Sequence, residues 1–116
     1  MLKVYVNENG KTLVSKEEVS LAGWQEVVAG STDAAQEKHV PVVTKKCKTV
    51  KVDVGSVMHP MSEAHLIEWI ALETEQGYQM KNLTAQSVPS VTFTLADGDK
   101  AVAVYAYCNL HGLWKA

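Results

Sequence analysis

Between residues 48 and 54 apolar and polar side chains alternate one for one: Val50, Val52 and Val54 fall on one side, Thr49, Lys51 and Asp53 on the other. A period of two built on β-branched residues predicts a half-buried strand. The pattern returns at Val91, Phe93 and Leu95, interleaved with Ser90, Thr92 and Thr94. The stretch ADGD at 96–99 then leads into residues 101–107, rich in Val and Tyr, so a β-hairpin with a glycine-containing turn is predicted here. Residues 3–6 and 12–14 flank Asn7-Glu-Asn-Gly10, a second and smaller hairpin with little apolar surface of its own.

Residues 61–75 resist a single reading. Glu, Ala, Leu and Met give helical propensity, and Ile67, Ile70, Ala71 and Thr74 could share one helix face. A central strand buried on both faces also reads as near-continuous apolar residues, as at Leu66, Ile67, Trp69, Ile70 and Leu72. The short strands elsewhere favour an antiparallel sandwich, so this segment is taken as a strand. No repeat, low-complexity tract or long linker interrupts the 116 residues, which suit one domain of ordinary size.

Composition narrows the function classes. An apolar fraction of 47% can build a core. A net charge of −2 and an isoelectric point near 6.0 offer no basic footprint for nucleic acid. No apolar run nears the roughly 18 residues that span a bilayer, and the first residues carry no signal-peptide core, so the expectation is a cytoplasmic protein without membrane contact. Cys47 and Cys108 are then free thiols or metal ligands sooner than a disulfide.

Four histidines remain: His39 in EKHVP, His59 and His65 in HPMSEAH, and His111 in CNLHG, three residues after Cys108. Strand-end loops of this kind are where a rigid scaffold presents ligands. On one helix His59 and His65 would point about 240° apart, and Pro60 would break the turn, so a loop wrapping one ion fits better. Any one histidine is most simply a hydrogen-bonded core or surface residue; four of them with a Cys-x-x-His make a transition-metal site an equal alternative. Imidazoles suit Zn, Cu or Fe, and a thiolate adds a soft donor. Nothing after His111 offers the axial ligand of a blue-copper centre. Five donors also exceed the closed tetrahedron of structural zinc and leave one octahedral position open.

The segments GSTDAAQEKHVPVV (30–43), VKVDVGSVMHPMSEAHLIEWI (50–70) and CNLHGLWKA (108–116) together resemble the superoxide reductases, the neelaredoxin and desulfoferrodoxin family. The resemblance implies an all-β, immunoglobulin-like seven-stranded antiparallel β-sandwich carrying a small N-terminal β-hairpin segment. It implies one non-haem iron per subunit, with His39, His59, His65 and His111 around the equator and Cys108 at the apex. It further implies that Lys38 draws the anion in and assists protonation, and that Glu37 can occupy the sixth position of the ferric resting state. The substrate would be superoxide, reduced to hydrogen peroxide, with a rubredoxin-like electron donor and a dimeric or tetrameric homo-oligomer. Many relatives hold a second, four-cysteine iron site near the N-terminus. Here no cysteine precedes Cys47, so residues 1–28 are expected as a metal-free segment and 29–116 as the iron domain. Cys47, among Lys45, Lys46 and Lys48, has no partner motif and reads as a bystander. A non-catalytic metal-binding or electron-carrying sandwich is the alternative.

Overall fold

A computed structural model describes residues 1–116. Ten strands and one helical turn follow in order: β1 (Lys3–Asn7), β2 (Thr12–Ser15), β3 (Trp24–Val27), α1 (Gln36–His39), β4 (Pro41–Lys46), β5 (Thr49–Val54), β6 (Ile67–Thr74), β7 (Gly77–Asn82), β8 (Ser90–Thr94), β9 (Ala101–Cys108) and β10 (Gly112–Lys115). They make three antiparallel sheets with strand orders β2-β1-β3, β10-β9-β6-β7 and β4-β5-β8. The last two face each other as the expected seven-stranded sandwich.

The core between them follows from the alternation. Val50, Val52 and Val54 of β5 and Phe93 of β8 meet Ile67, Ile70 and Leu72 of β6 and Val104, Ala106 and Cys108 of β9, all buried. Each large aliphatic or aromatic residue so buried contributes roughly 1.5–3 kcal/mol. The other face of β6 and β9 is buried too. Trp69, Ala71, Ala103, Tyr105, Tyr107 and Leu113 pack against Leu2 and Val4 of the N-terminal sheet. Two buried faces explain why residues 66–72 read as nearly continuous apolar sequence. Ile67 and Ile70 both point inward although three apart, because a bulge between Ile67 and Trp69 inserts Glu68 opposite the Tyr107–Cys108 step. The bulge resets the alternation beside the end of β9, where Cys108 pairs with Ile67.

Two sequence expectations need correction. β8 and β9 do not form a hairpin: β8 pairs with β5, β9 with β6 and β10, and residues 95–100 carry the chain from one sheet to the other. Only the two strands were legible, because alternation does not reveal the partner. The N-terminal segment is likewise more than a hairpin. β3 adds a third strand beside β1, with Val4 opposite Val27 and Asn7 opposite Trp24. Its four residues, WQEV, carry too little alternation to announce a strand. The β1–β2 turn closes on itself: Asn9 and Lys11 both donate their N–H to Asn7 Oδ1, at 3.0 and 2.9 Å.

Candidate metal centre

All four histidines and Cys108 arrive at one end of the sandwich from three separate stretches. His39 ends α1, a single turn that Val40 leaves in extended conformation before Pro41. The turn can sit against the end of β5 because residue 55 is glycine. Gly55 has φ +86°, and a Cβ there would lie 2.3 Å from the Val57 carbonyl oxygen and 2.7 Å from that of Glu37. Val57 N–H donates to the same Glu37 carbonyl at 2.8 Å. His59 follows in the loop after β5, with its N–H donating to Val54. His65 sits in a tight loop where Ser62 N–H donates to the His65 carbonyl and His65 N–H to that of Ser62, at 2.9 and 3.1 Å. Cys108 ends β9, and His111 lies in the turn to β10, whose Gly112 has φ +76°.

The four imidazoles form a square. Neighbouring ring centroids are 4.7 Å apart for His39–His59, 4.7 Å for His59–His65, 5.0 Å for His65–His111 and 4.9 Å for His111–His39, each ring turned 77–88° to the next. Across the square His39 and His65 are 6.3 Å apart. Half of that 6.3 Å, roughly 3.2 Å, is the sum of a metal–nitrogen bond of about 2.0–2.1 Å and an imidazole radius of about 1.1 Å. The donor atoms of His39, His65, His111 and Cys108 lie within 4.8 Å of one another, and Cys108 Sγ is 4.0 Å from His111 Nδ1. His39, His59 and Cys108 are buried, whereas His65 and His111 stay partly exposed.

The hydrogen bonds decide which lone pairs converge. His39 Nδ1 contacts the Ala35 carbonyl and His59 Nδ1 that of Pro60, both at 2.7 Å. A carbonyl only accepts, so both Nδ1 atoms carry the hydrogen and both Nε2 atoms present a bare lone pair. Those two Nε2 atoms face each other at 3.2 Å, and His111 Nδ1 is 3.1 Å from His39 Nε2. His65 Nε2 is buried without a hydrogen-bond partner. Acceptors crowded in this way repel unless a cation stands among them, so the donor set fits a bound transition metal.

Protonation leans the same way. Burial lowers His59 to about 4, with the neighbouring imidazoles adding to the effect. Burial also lowers His65, and then the charges of His111, His39 and Lys38. Neutral imidazoles are the form that binds metal. Burial pushes the Cys108 thiol up, while hydrogen bonds from the Leu110 and His111 amides pull it back toward the thiolate.

Glu37 and Lys38 lie exposed on α1 beside His39. Cys47 lies exposed in the β4–β5 turn with φ 54°, away from the imidazoles. Trp114, two residues from the C-terminus, closes the site from one side. It is stacked on His39 with centroids 4.9 Å apart, and its indole N–H donates to the His111 carbonyl at 3.0 Å. Gly55 and Asn109 went unnoticed: Gly55 carries no chemical mark, and Asn109 showed only as a letter inside CNLHG.

A model of the family described as Desulfoferrodoxin matches residues 31–116. A desulfoferrodoxin of Clostridium acetobutylicum is 44% identical, over 99% of this chain and 95% of its own. One from Nitratidesulfovibrio vulgaris is 49% identical over 75% of this chain and 68% of its own. The solved structure of the superoxide reductase from Treponema pallidum superposes with a TM-score of 0.83 at 37% identity, covering 97% of this chain and 98% of that one. The chain belongs to the desulfoferrodoxin family.

Proposed function

We propose that this protein is a superoxide reductase, converting superoxide to hydrogen peroxide by adding one electron and two protons (O2•− + e− + 2H+ → H2O2). One iron ion per subunit would be held by His39, His59, His65, His111 and Cys108. The observation that carries the reading is the square of imidazoles with converging lone pairs beside a buried thiol, in a chain whose relatives bear that name. Bound there, iron would supply one-electron redox chemistry, the electron coming in the end from an external donor.

The chain's own groups set the conditions. The Ala35 and Pro60 carbonyls hold the Nδ1 hydrogens of His39 and His59, fixing the ring planes and raising the basicity of the inward nitrogens. The amides aimed at Cys108 temper the thiolate's donation. Lys38, an exposed ammonium whose charge is felt at His65, would attract the substrate anion and offer a proton from Nζ to the arriving oxygen. Glu37 has its carbonyl tied to Val57 and Ser56, at 2.8 and 3.3 Å, while its side chain is exposed. Its carboxylate would therefore be free to turn toward the metal site as a hard oxygen ligand without moving the backbone.

Residues 1–28 hold no iron in this reading, and the family match beginning at residue 31 supports 29–116 as the iron domain. Electrons come from an external rubredoxin-like protein, the chain works as a homo-oligomer, dimer or tetramer, and its place is the cytoplasm. No helix is long and apolar enough to cross a membrane.

The test is stopped-flow mixing of the iron-loaded, reduced protein with superoxide, counting peroxide and oxygen. One peroxide per superoxide without oxygen, and a blue thiolate-to-iron band on oxidation, is the expected result. Half that peroxide with oxygen released would make it a dismutase. A colourless, zinc-holding protein inert to superoxide would make it a carrier.

A further inference from the structure

His65 is the ligand with the weakest support of its own. Its Nε2 has no hydrogen-bond partner, and its loop belongs to no sheet beyond the Ser62–His65 bridge. What fixes that loop to the rest of the site is Asn109, the residue directly after Cys108. Leu66 N–H donates to Asn109 Oδ1 at 3.0 Å, and Asn109 Nδ2 donates to the Ala64 carbonyl at 3.1 Å. Asn109 N–H donates to the Leu66 carbonyl at 3.2 Å. The carboxamide thus grips the peptide groups on both sides of His65, across 43 and 45 residues of chain.

From this geometry we infer that Asn109 is a positioning residue for the metal site: it sets the place of His65 relative to Cys108 and so holds one corner of the imidazole square. That role presupposes the metal site proposed for these histidines and Cys108. A carboxamide is the side chain for the task, since it offers an acceptor and a donor from one planar group. Aspartate could keep the Leu66 bond but would have nothing to donate to Ala64. Alanine loses both side-chain bonds and keeps only the one made by its own amide. Loss of a partner that orients a ligand typically lowers metal affinity 10- to 100-fold.

The experiment compares the parent with Asn109→Ala and Asn109→Asp in the full chain. It reads iron affinity by chelator competition, the position of the oxidised thiolate-to-iron band, and amide hydrogen exchange at Leu66 against Ile70 and Leu72. Asn109→Ala should bind iron on the order of 10- to 100-fold more weakly, with a displaced band. Its Leu66 amide should exchange faster while Ile70 and Leu72 are unchanged, and Asn109→Asp should keep Leu66 protected and lie between. Parent-like affinity and band in Asn109→Ala would overturn the inference. So would faster exchange spread equally over Ile70 and Leu72, which would mean a general loosening. If the parent itself bound no iron, the metal-site reading would fall, and unchanged exchange at Leu66 would separately sink the strut.

Discussion

Lys38 stands one residue before His39 on an exposed turn, near enough for its charge to count among those that disfavour protonation of His65. The role proposed for it is one of charge outside the proposed ligand set, so Lys38→Ala should slow superoxide capture on the order of tenfold at low salt while leaving iron content intact. The difference from the parent should shrink as ionic strength rises. A variant with the parent's second-order rate at every salt concentration would remove that role. Tyr105 allows a second test, far from chemistry. Its hydroxyl donates to buried Glu73 at 3.0 Å, and burial, followed by that carboxylate, pushes it up to about 12. A raised phenol contributes stability that is complete below its ordinary value of 10.0 and is lost as pH climbs toward 12. Tyr105→Phe should cost about 1–3 kcal/mol at neutral pH, and its melting temperature should converge on the parent's between pH 10 and 12. A constant gap across that range would contradict the linkage. The four histidines and Cys108 stood out as candidates in the sequence because few residue types bind metal. Asn109 and Gly55 could not, since their meaning lies in partners brought near only by folding.

Elements were legible where one face is wet and one dry, as in β5 and β8, and ambiguous where both faces are covered, as in β6. What alternation cannot supply is the neighbour. β8 and β9 follow each other in the chain yet lie in opposite sheets, and β3 was too short to register. The placement of α1 was also hidden, because it depends on the missing side chain at Gly55. Gly55→Ala should cost about 1–3 kcal/mol through its positive φ alone and more through the collision with the Glu37 and Val57 carbonyls. Its relief would push α1, and with it His39, away from His59. Iron affinity should therefore fall alongside melting temperature. Loss of stability with iron binding untouched would show that the turn is not what locates His39.

At the scale of the molecule the N-terminal sheet is a third layer. Leu2 and Val4 cover Trp69, Ala71, Tyr105 and Tyr107 on the back of the sheet that carries Cys108. Removing residues 1–28 should leave this apolar face open, giving a protein that self-associates and binds hydrophobic dyes. A monodisperse truncation with an unchanged melting temperature would refute the role as a cover. The proposed ligands span the chain from His39 to His111, with the core strands between them. An ion gripping all three stretches ties distant parts of one polymer together and, by mass action, favours the folded form over every open one. If iron is that ion, its availability would govern how long each copy survives proteolysis, so cells starved of iron should hold less of this protein even when its messenger is made at the same rate.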